Sequence, residues 1–229
     1  MTRSDKTRIT AGLLLALAAS PALQATELKA FDASYRASYN NMAANASMSL
    51  APAGGNRWNY TLTVQNALVQ LNRSAVVDAS GAQLRPISNR ENVNMVVRKR
   101  SKQGQYDWSS QQARWSGDVK ADRQGPIRLQ AGDVDGMTMN LAIVRDALAG
   151  KPMRYRLIEN GKATPMTFTV AGRENMAVDG RQVSTIRVSG NDGDTTRTLW
   201  VAEGIPLPVR ILQKDDDGDT IDLRLQNIR

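Results

Sequence analysis

Trp58-Asn59-Tyr60-Thr61-Leu62-Thr63-Val64 carries a large apolar residue at every even number and a polar one at every odd number. A period of two points successive side chains to opposite faces of a strand, so one face of this segment meets a core and the other meets water. Met166-Thr167-Phe168-Thr169-Val170 and Ile221-Asp222-Leu223-Arg224-Leu225 repeat the pattern. Outward from these, further strands are expected at 31–39, 43–50, 68–77, 87–99, 105–108, 153–159, 183–188, 195–201 and 208–213. The intervening stretches supply turn chemistry. Gly54-Gly55-Asn56, Ser80-Gly81, Asn160-Gly161, Gly190-Asn191-Asp192-Gly193 and Asp215-Asp216-Asp217-Gly218 all tolerate positive φ. Strands so closely spaced, mostly without helices between them, predict an antiparallel meander rather than βαβ units.

One segment departs from the β pattern. In DVDGMTMNLAIVRDALA (133–149), Met137, Leu141, Val144 and Leu148 recur at helical spacing. Asp133 or Asp135 can cap the start, and Gly150 stands where a helix ends in a left-handed residue. The spacing predicts one amphipathic helix lying across the sheet, because its apolar face needs covering.

Composition closes several chemistries. The 229 residues include no His and no Cys, which excludes an imidazole base, a Ser–His–Asp triad, a thiolate nucleophile, a disulfide and Cys- or His-ligated metal. No cofactor is implied. The N-terminus reads as an export signal: Arg3, Lys6 and Arg8 precede an apolar run of 11 residues, Ile9 to Ala19, followed by Ser20-Pro21-Ala22 and Ala25. A run of this length falls short of the roughly 20 apolar residues a membrane-spanning helix needs. The expected cut lies after Ala25, with Ala22 the alternative, leaving residues 26–229 as a single exported β-rich domain. That domain has 27 basic and 21 acidic side chains, a net charge of +6. A periplasmic location is expected.

Candidate chemistry is sparse. Asp215-Asp216-Asp217-Gly218-Asp219 has the opening of a calcium loop, but Gln226 stands where a bidentate Glu would be required, so it reads as an acidic hairpin turn. Arg98, Lys99, Arg100 and Lys102 place four cations in five residues, which suits an anionic surface such as lipid headgroups or a polyanionic glycan. No aromatic residues interleave with them, so nucleic acid is not expected as a partner. No Ser and no Lys lie on the helix, and no two carboxylates stand out as a glycosidase pair. Catalysis is therefore not expected. Eight Met against two Phe in the exported part hint at adaptable apolar surface, with Met137 and Met139 on the helix and Met95, Met153, Met166 and Met176 elsewhere.

Three stretches carry a family resemblance. They are Gly132-Asp133-Val134-Asp135-Gly136 running into Val144-Arg145-Asp146-Ala147-Leu148-Ala149-Gly150, then Phe168 to Glu174 with Val178-Asp179-Gly180, then Leu199-Trp200-Val201-Ala202-Glu203 with Leu207 to Ile211. Together with Phe31-Asp32-Ala33-Ser34-Tyr35 they resemble a bacterial exported family known as domain of unknown function 3108, over essentially the whole exported part. The resemblance implies no activity and no transferable site residues. It implies a fold similar to periplasmic lipoprotein carriers: a mainly β, curved antiparallel meander, an incompletely closed barrel, with the helix packed on its concave side.

Two functions follow as expectations. In the first, the curved sheet and helix enclose an apolar groove for a lipid-like or hydrophobic envelope component, lined by Trp58, Tyr60, Leu62, Met137, Leu141 and Val144. In the alternative, the core is filled and the protein is an interaction module for an envelope protein partner, using a sheet edge or the Arg98–Lys102 patch.

Overall fold

The computed structural model describes residues 27–229; the expected export signal lies outside them. Fifteen strands form one sheet: β1 (Phe31–Tyr39), β2 (Met42–Pro52), β3 (Arg57–Gln65), β4 (Val69–Asp78), β5 (Arg85–Met95), β6 (Arg98–Asp107), β7 (Gln112–Gly117), β8 (Ile127–Arg128), β9 (Asp133–Val134), β10 (Met153–Glu159), β11 (Lys162–Val178), β12 (Arg181–Asn191), β13 (Thr195–Val201), β14 (Arg210–Asp215) and β15 (Thr220–Ile228). The helix α1 (Gly136–Leu148) lies between β9 and β10.

Strand order is β8-β7-β6-β5-β4-β3-β2-β1-β15-β14-β13-β12-β11-β10-β9. It is two meanders joined where β1 pairs with β15, and every pairing is antiparallel except β9 with β10. The two edge strands, β8 and β9, are consecutive in the chain. The sheet thus curls until its edges approach without joining by a backbone ladder, a curved sheet not closed into a barrel.

Alternation sets the inner face. Tyr60 and Leu62 of β3, Met48 and Leu50 of β2, Phe31 and Tyr35 of β1, and Leu223 and Leu225 of β15 point inward and are buried together. Tyr35 Oη donates to the Pro208 carbonyl at 2.6 Å, satisfying a hydroxyl that burial would otherwise penalise.

The helix fills the space this face encloses. Asp135 caps it, its carboxylate accepting from the Thr138 amide at 2.7 Å. Gly150, at φ +63°, takes the left-handed turn after the last residues. Met137, Leu141 and Ala142 pack into the cluster built on β1, β2, β3 and β15. Met139, Ile143, Val144 and Ala147 pack into a second cluster with Met153, Leu157, Met166, Phe168, Val188, Leu199 and Val201. Apolar contact therefore surrounds most of the helix, rather than one stripe of it. Even Asp146 is buried, held by Arg145 at 2.7 Å and by the Tyr155 hydroxyl at 2.8 Å.

Several boundaries differ from the sequence expectation. The single strand expected over 87–99 is two strands, β5 and β6, reversed at Val96-Val97. Two β-branched residues carry none of the positive-φ preference that marks a tight hairpin, so the reversal leaves no local signature. Strand β7 was not anticipated, and β11 runs well beyond Val170 through a bulge at Val170/Gly172.

Replacing Ile143, which has no exposed surface, by Ala removes contacts the rigid surroundings cannot restore. Urea denaturation is expected to show a loss of about 2–5 kcal/mol, far more than Leu148→Ala at the exposed end of the helix.

Candidate functional site

The gap between the sheet edges is spanned by side chains. Arg156 of β10 holds Asp133 of β9 through two hydrogen bonds of 2.7 Å and also donates to the Arg128 carbonyl of β8 at 2.7 Å. Tyr106 of β6 donates to the Ile158 carbonyl of β10 at 2.8 Å. Beneath them Tyr106, Ala113, Trp115, Leu129 and Ile158 form a third apolar cluster. At Gly161 a Cβ would lie 2.0 Å from the Arg123 carbonyl oxygen, so only glycine lets the β10–β11 turn approach the 3-10 turn at Ala121–Arg123.

Where this seam reaches the turn end of the sheet it opens into a cleft of about 480 Å³. Lys102, Lys120, Arg123 and Lys162 line it together with Asp118, Glu159, Asp192 and Asp194, so both charges are equally represented. Lys102, Glu159 and Asn160 also border a smaller inner chamber of about 20 Å³, whose wall includes Arg73, Asn89, Glu91, Trp115 and Met137.

The inner chamber is a polar network set into an apolar wall. Arg73 and Glu91 face one another across the β4–β5 ladder and form an ion pair, and Lys102 reaches Glu91 from the next strand at 3.0 Å. Burial tends to lower the Arg73 pKa, but the Glu159 and Glu91 carboxylates outweigh it and hold the guanidinium charged. Burial likewise acts to raise Glu91, and Arg73 and Lys102 overcome it, so its pKa lies below the ordinary value. Asn89 donates to both Tyr106 Oη and Asp135 Oδ2 at 2.9 Å, tying the start of the helix to the seam. Burial pushes the Asp135 carboxyl up, against the Thr138 and Asn89 hydrogen bonds that favour its charge. Tyr106 is raised well above its usual value, first by burial and then by Asp135 and Glu159. Trp115 Nε1 is buried beside this network with no hydrogen-bond acceptor among the described residues. Gly104 makes room for it: a Cβ there would lie 2.8 Å from Trp115 Nε1 and 2.7 Å from Asn89 Oδ1.

The six residues expected to line an apolar groove are all on the inner side of the sheet, buried or partly buried. Tyr60, Leu62, Met137 and Leu141 are buried in one cluster with Trp58 partly buried against it, and Val144 is buried in the adjoining one. Of the six, Met137 alone borders either cleft. Of the four cations, Lys102 turns inward to Glu91 and the cleft, while Arg98, Lys99 and Arg100 are exposed at the start of β6. Sequence reasoning missed Arg73, Asn89, Glu91, Trp115 and Glu159. They come from four separate strands, and only the register that sets Arg73 opposite Glu91 could have joined residues of two of them.

A depressed Glu91 pKa stabilises the fold above its ordinary value of 4.5, and this contribution is lost as pH falls through the lower folded value. Glu91→Gln is therefore expected to melt below the parent at pH 7, with the deficit closing as pH falls below the ordinary carboxylate value and through the lower folded one. Calorimetric scans across pH read this directly.

Among solved structures, the chain is similar to the β-barrel-like protein of domain of unknown function DUF1849 from Brucella abortus, with 10% identity, a TM-score of 0.55, and coverage of 89% of this chain and 98% of that one. Weaker likenesses are to MucB, with 10% identity, a TM-score of 0.36 and 52% of that chain covered, and to the MucA/MucB complex of Pseudomonas aeruginosa, with 11% identity and a TM-score of 0.34. These cover 87% of the present chain, which spans about half of each. No curated protein sequence matches the chain. No helix among the described residues is long and apolar enough to cross a membrane. The family described as "Protein of unknown function (DUF3108)" matches residues 31–226, and the chain belongs to that family.

Proposed function

We propose that the protein is a non-enzymatic interaction module of the bacterial periplasm, engaging an envelope partner from outside, at the seam cleft, rather than enclosing a lipid within the sheet. The observation that carries this reading is the burial of α1. Its apolar side chains are packed against both halves of the sheet, and charged side chains stand around both clefts at the seam. The residues that a carrier groove would use are instead buried against one another and against the helix.

The cleft suits a polar occupant. Its volume lies in the range of small-ligand sites, and its four cations and four carboxylates match a group bearing both charges, such as a segment of a partner protein. The carboxylates buried deepest among the described residues have structural tasks: Asp133 holds Arg156, Asp135 caps the helix, and Asp146 holds Arg145 and Tyr155. That supports binding over hydrolysis.

Native mass spectrometry of the protein taken from its own periplasm is the test. The expected species is a complex with a polypeptide that dissociates when Lys102→Glu and Lys162→Glu are combined. A lipid-sized mass excess that survives the same double substitution would overturn the proposal in favour of a carrier.

A further inference from the structure

In a meander, successive hairpin turns fall at alternate ends of the sheet. The β1–β2 turn at 40–41, the β3–β4 turn at 66–68 and the β5–β6 turn at 96–97 share one end, together with the β12–β13 and β14–β15 turns beyond the seam. Seven large apolar side chains are exposed among the described residues, and five of them lie at this end: Tyr39, Met42, Leu68, Val96 and Val97. Val96 is 79% exposed and Val97 94%. Two valines in a tight reversal satisfy no local conformational demand, since such turns favour Asn and Gly. Just below them Val69 pairs with Met95 and Leu71 with Val93, all half-buried, so apolar surface runs from the tips toward the interior.

Charge at this end is divided. Arg98, Lys99 and Arg100 follow directly on the valines, exposed and with no ion-pair partner among the described residues. The β12–β13 and β14–β15 turns of the other meander carry Asp192, Asp194, Asp216 and Asp217. An apolar tip followed directly by three cations without ion-pair partners among the described residues has the make-up of an interfacial anchor.

We propose that the β5–β6 hairpin docks the protein on an anionic lipid surface, with Val96, Val97 and the neighbouring Leu68 entering the headgroup layer and Arg98, Lys99 and Arg100 meeting the phosphates. A second copy is the competing occupant, since its acidic β14–β15 turn carries exposed Tyr39 beside it, and the test below separates the two. This membrane contact is separate from the seam cleft and goes beyond the interaction proposed there.

The absence of Cys allows a single reporter thiol. Val97→Cys and Ala53→Cys, the second on the β2–β3 turn at the opposite end, are each labelled with a polarity-sensitive fluorophore and mixed with vesicles of phosphatidylethanolamine and phosphatidylglycerol at about 3:1. The label at residue 97 is expected to shift to the blue on these vesicles and not on pure phosphatidylcholine, while the label at residue 53 stays unchanged. Co-sedimentation of the unlabelled protein is expected to weaken with salt. It should fall on the order of 100-fold when Arg98, Lys99 and Arg100 are all changed to Gln, about fivefold per cation. Val96→Ser with Val97→Ser should also weaken it, without changing the melting temperature. No vesicle binding, binding indifferent to both sets of substitutions, or equal shifts at residues 53 and 97 would overturn the proposal. So would a dimer in sedimentation velocity that the charge substitutions dissolve, which would assign the patch to a second copy.

Discussion

Everything in this structure depends on what fills the inside of the curved sheet. Fifteen strands turned around one face create an interior that must be dry, and α1 supplies the filling. The helix is capped by Asp135 at one end and released by Gly150 at the other, and between them it presents apolar side chains in nearly every direction. One side of the helix packs on β1–β4 with β15, and the other on β10–β13. Packing density in such interiors leaves little slack, so the helix fixes how far the sheet can curl and therefore where its edges stop.

The seam is the consequence. The edges approach but do not form a ladder, and unpaired edge groups are a liability unless covered. Arg156 covers them with three hydrogen bonds to β8 and β9, and Tyr106 adds one across to β10. Where the stitching ends, charged side chains remain around a cleft instead of backbone. Asp135 links the two features, because the residue that caps the helix also accepts from Asn89 at the seam. The polar site is thus positioned by the same helix that fills the inside of the sheet. Its ion pairs matter more for placing groups than for net stability, since desolvation offsets much of the attraction between partly buried charges.

Much of the fold was legible in the sequence because alternation and helical spacing are local. The Trp58–Val64 pattern, the helix from Met137 to Leu148 and the Gly- and Asp-rich turns all reappear where they were expected, and the family resemblance supplied the curvature. What the sequence could not reveal depends on distance in the chain. Tyr60, Leu62, Met137 and Leu141 look the same whether they line a groove or fill a core, because periodicity reports which face is apolar and not what lies against it. Arg73, Glu91, Lys102 and Glu159 converge only once four strands are in register. The Val96-Val97 reversal was hidden for the opposite reason: its residues are those of a strand, and the turn is imposed by pairing on either side rather than by its own chemistry.

On this reading α1 is a permanent part of the core and not a lid over a ligand chamber. Native-state hydrogen exchange at the amides of Leu141, Ile143 and Val144 tests it most directly. If the account is right, these amides exchange only when the whole domain unfolds, with the same opening free energy as the most protected amides of β1 and β15. Exchange at a markedly lower free energy, with those strands still protected, would show that the helix leaves the sheet on its own and would contradict the account.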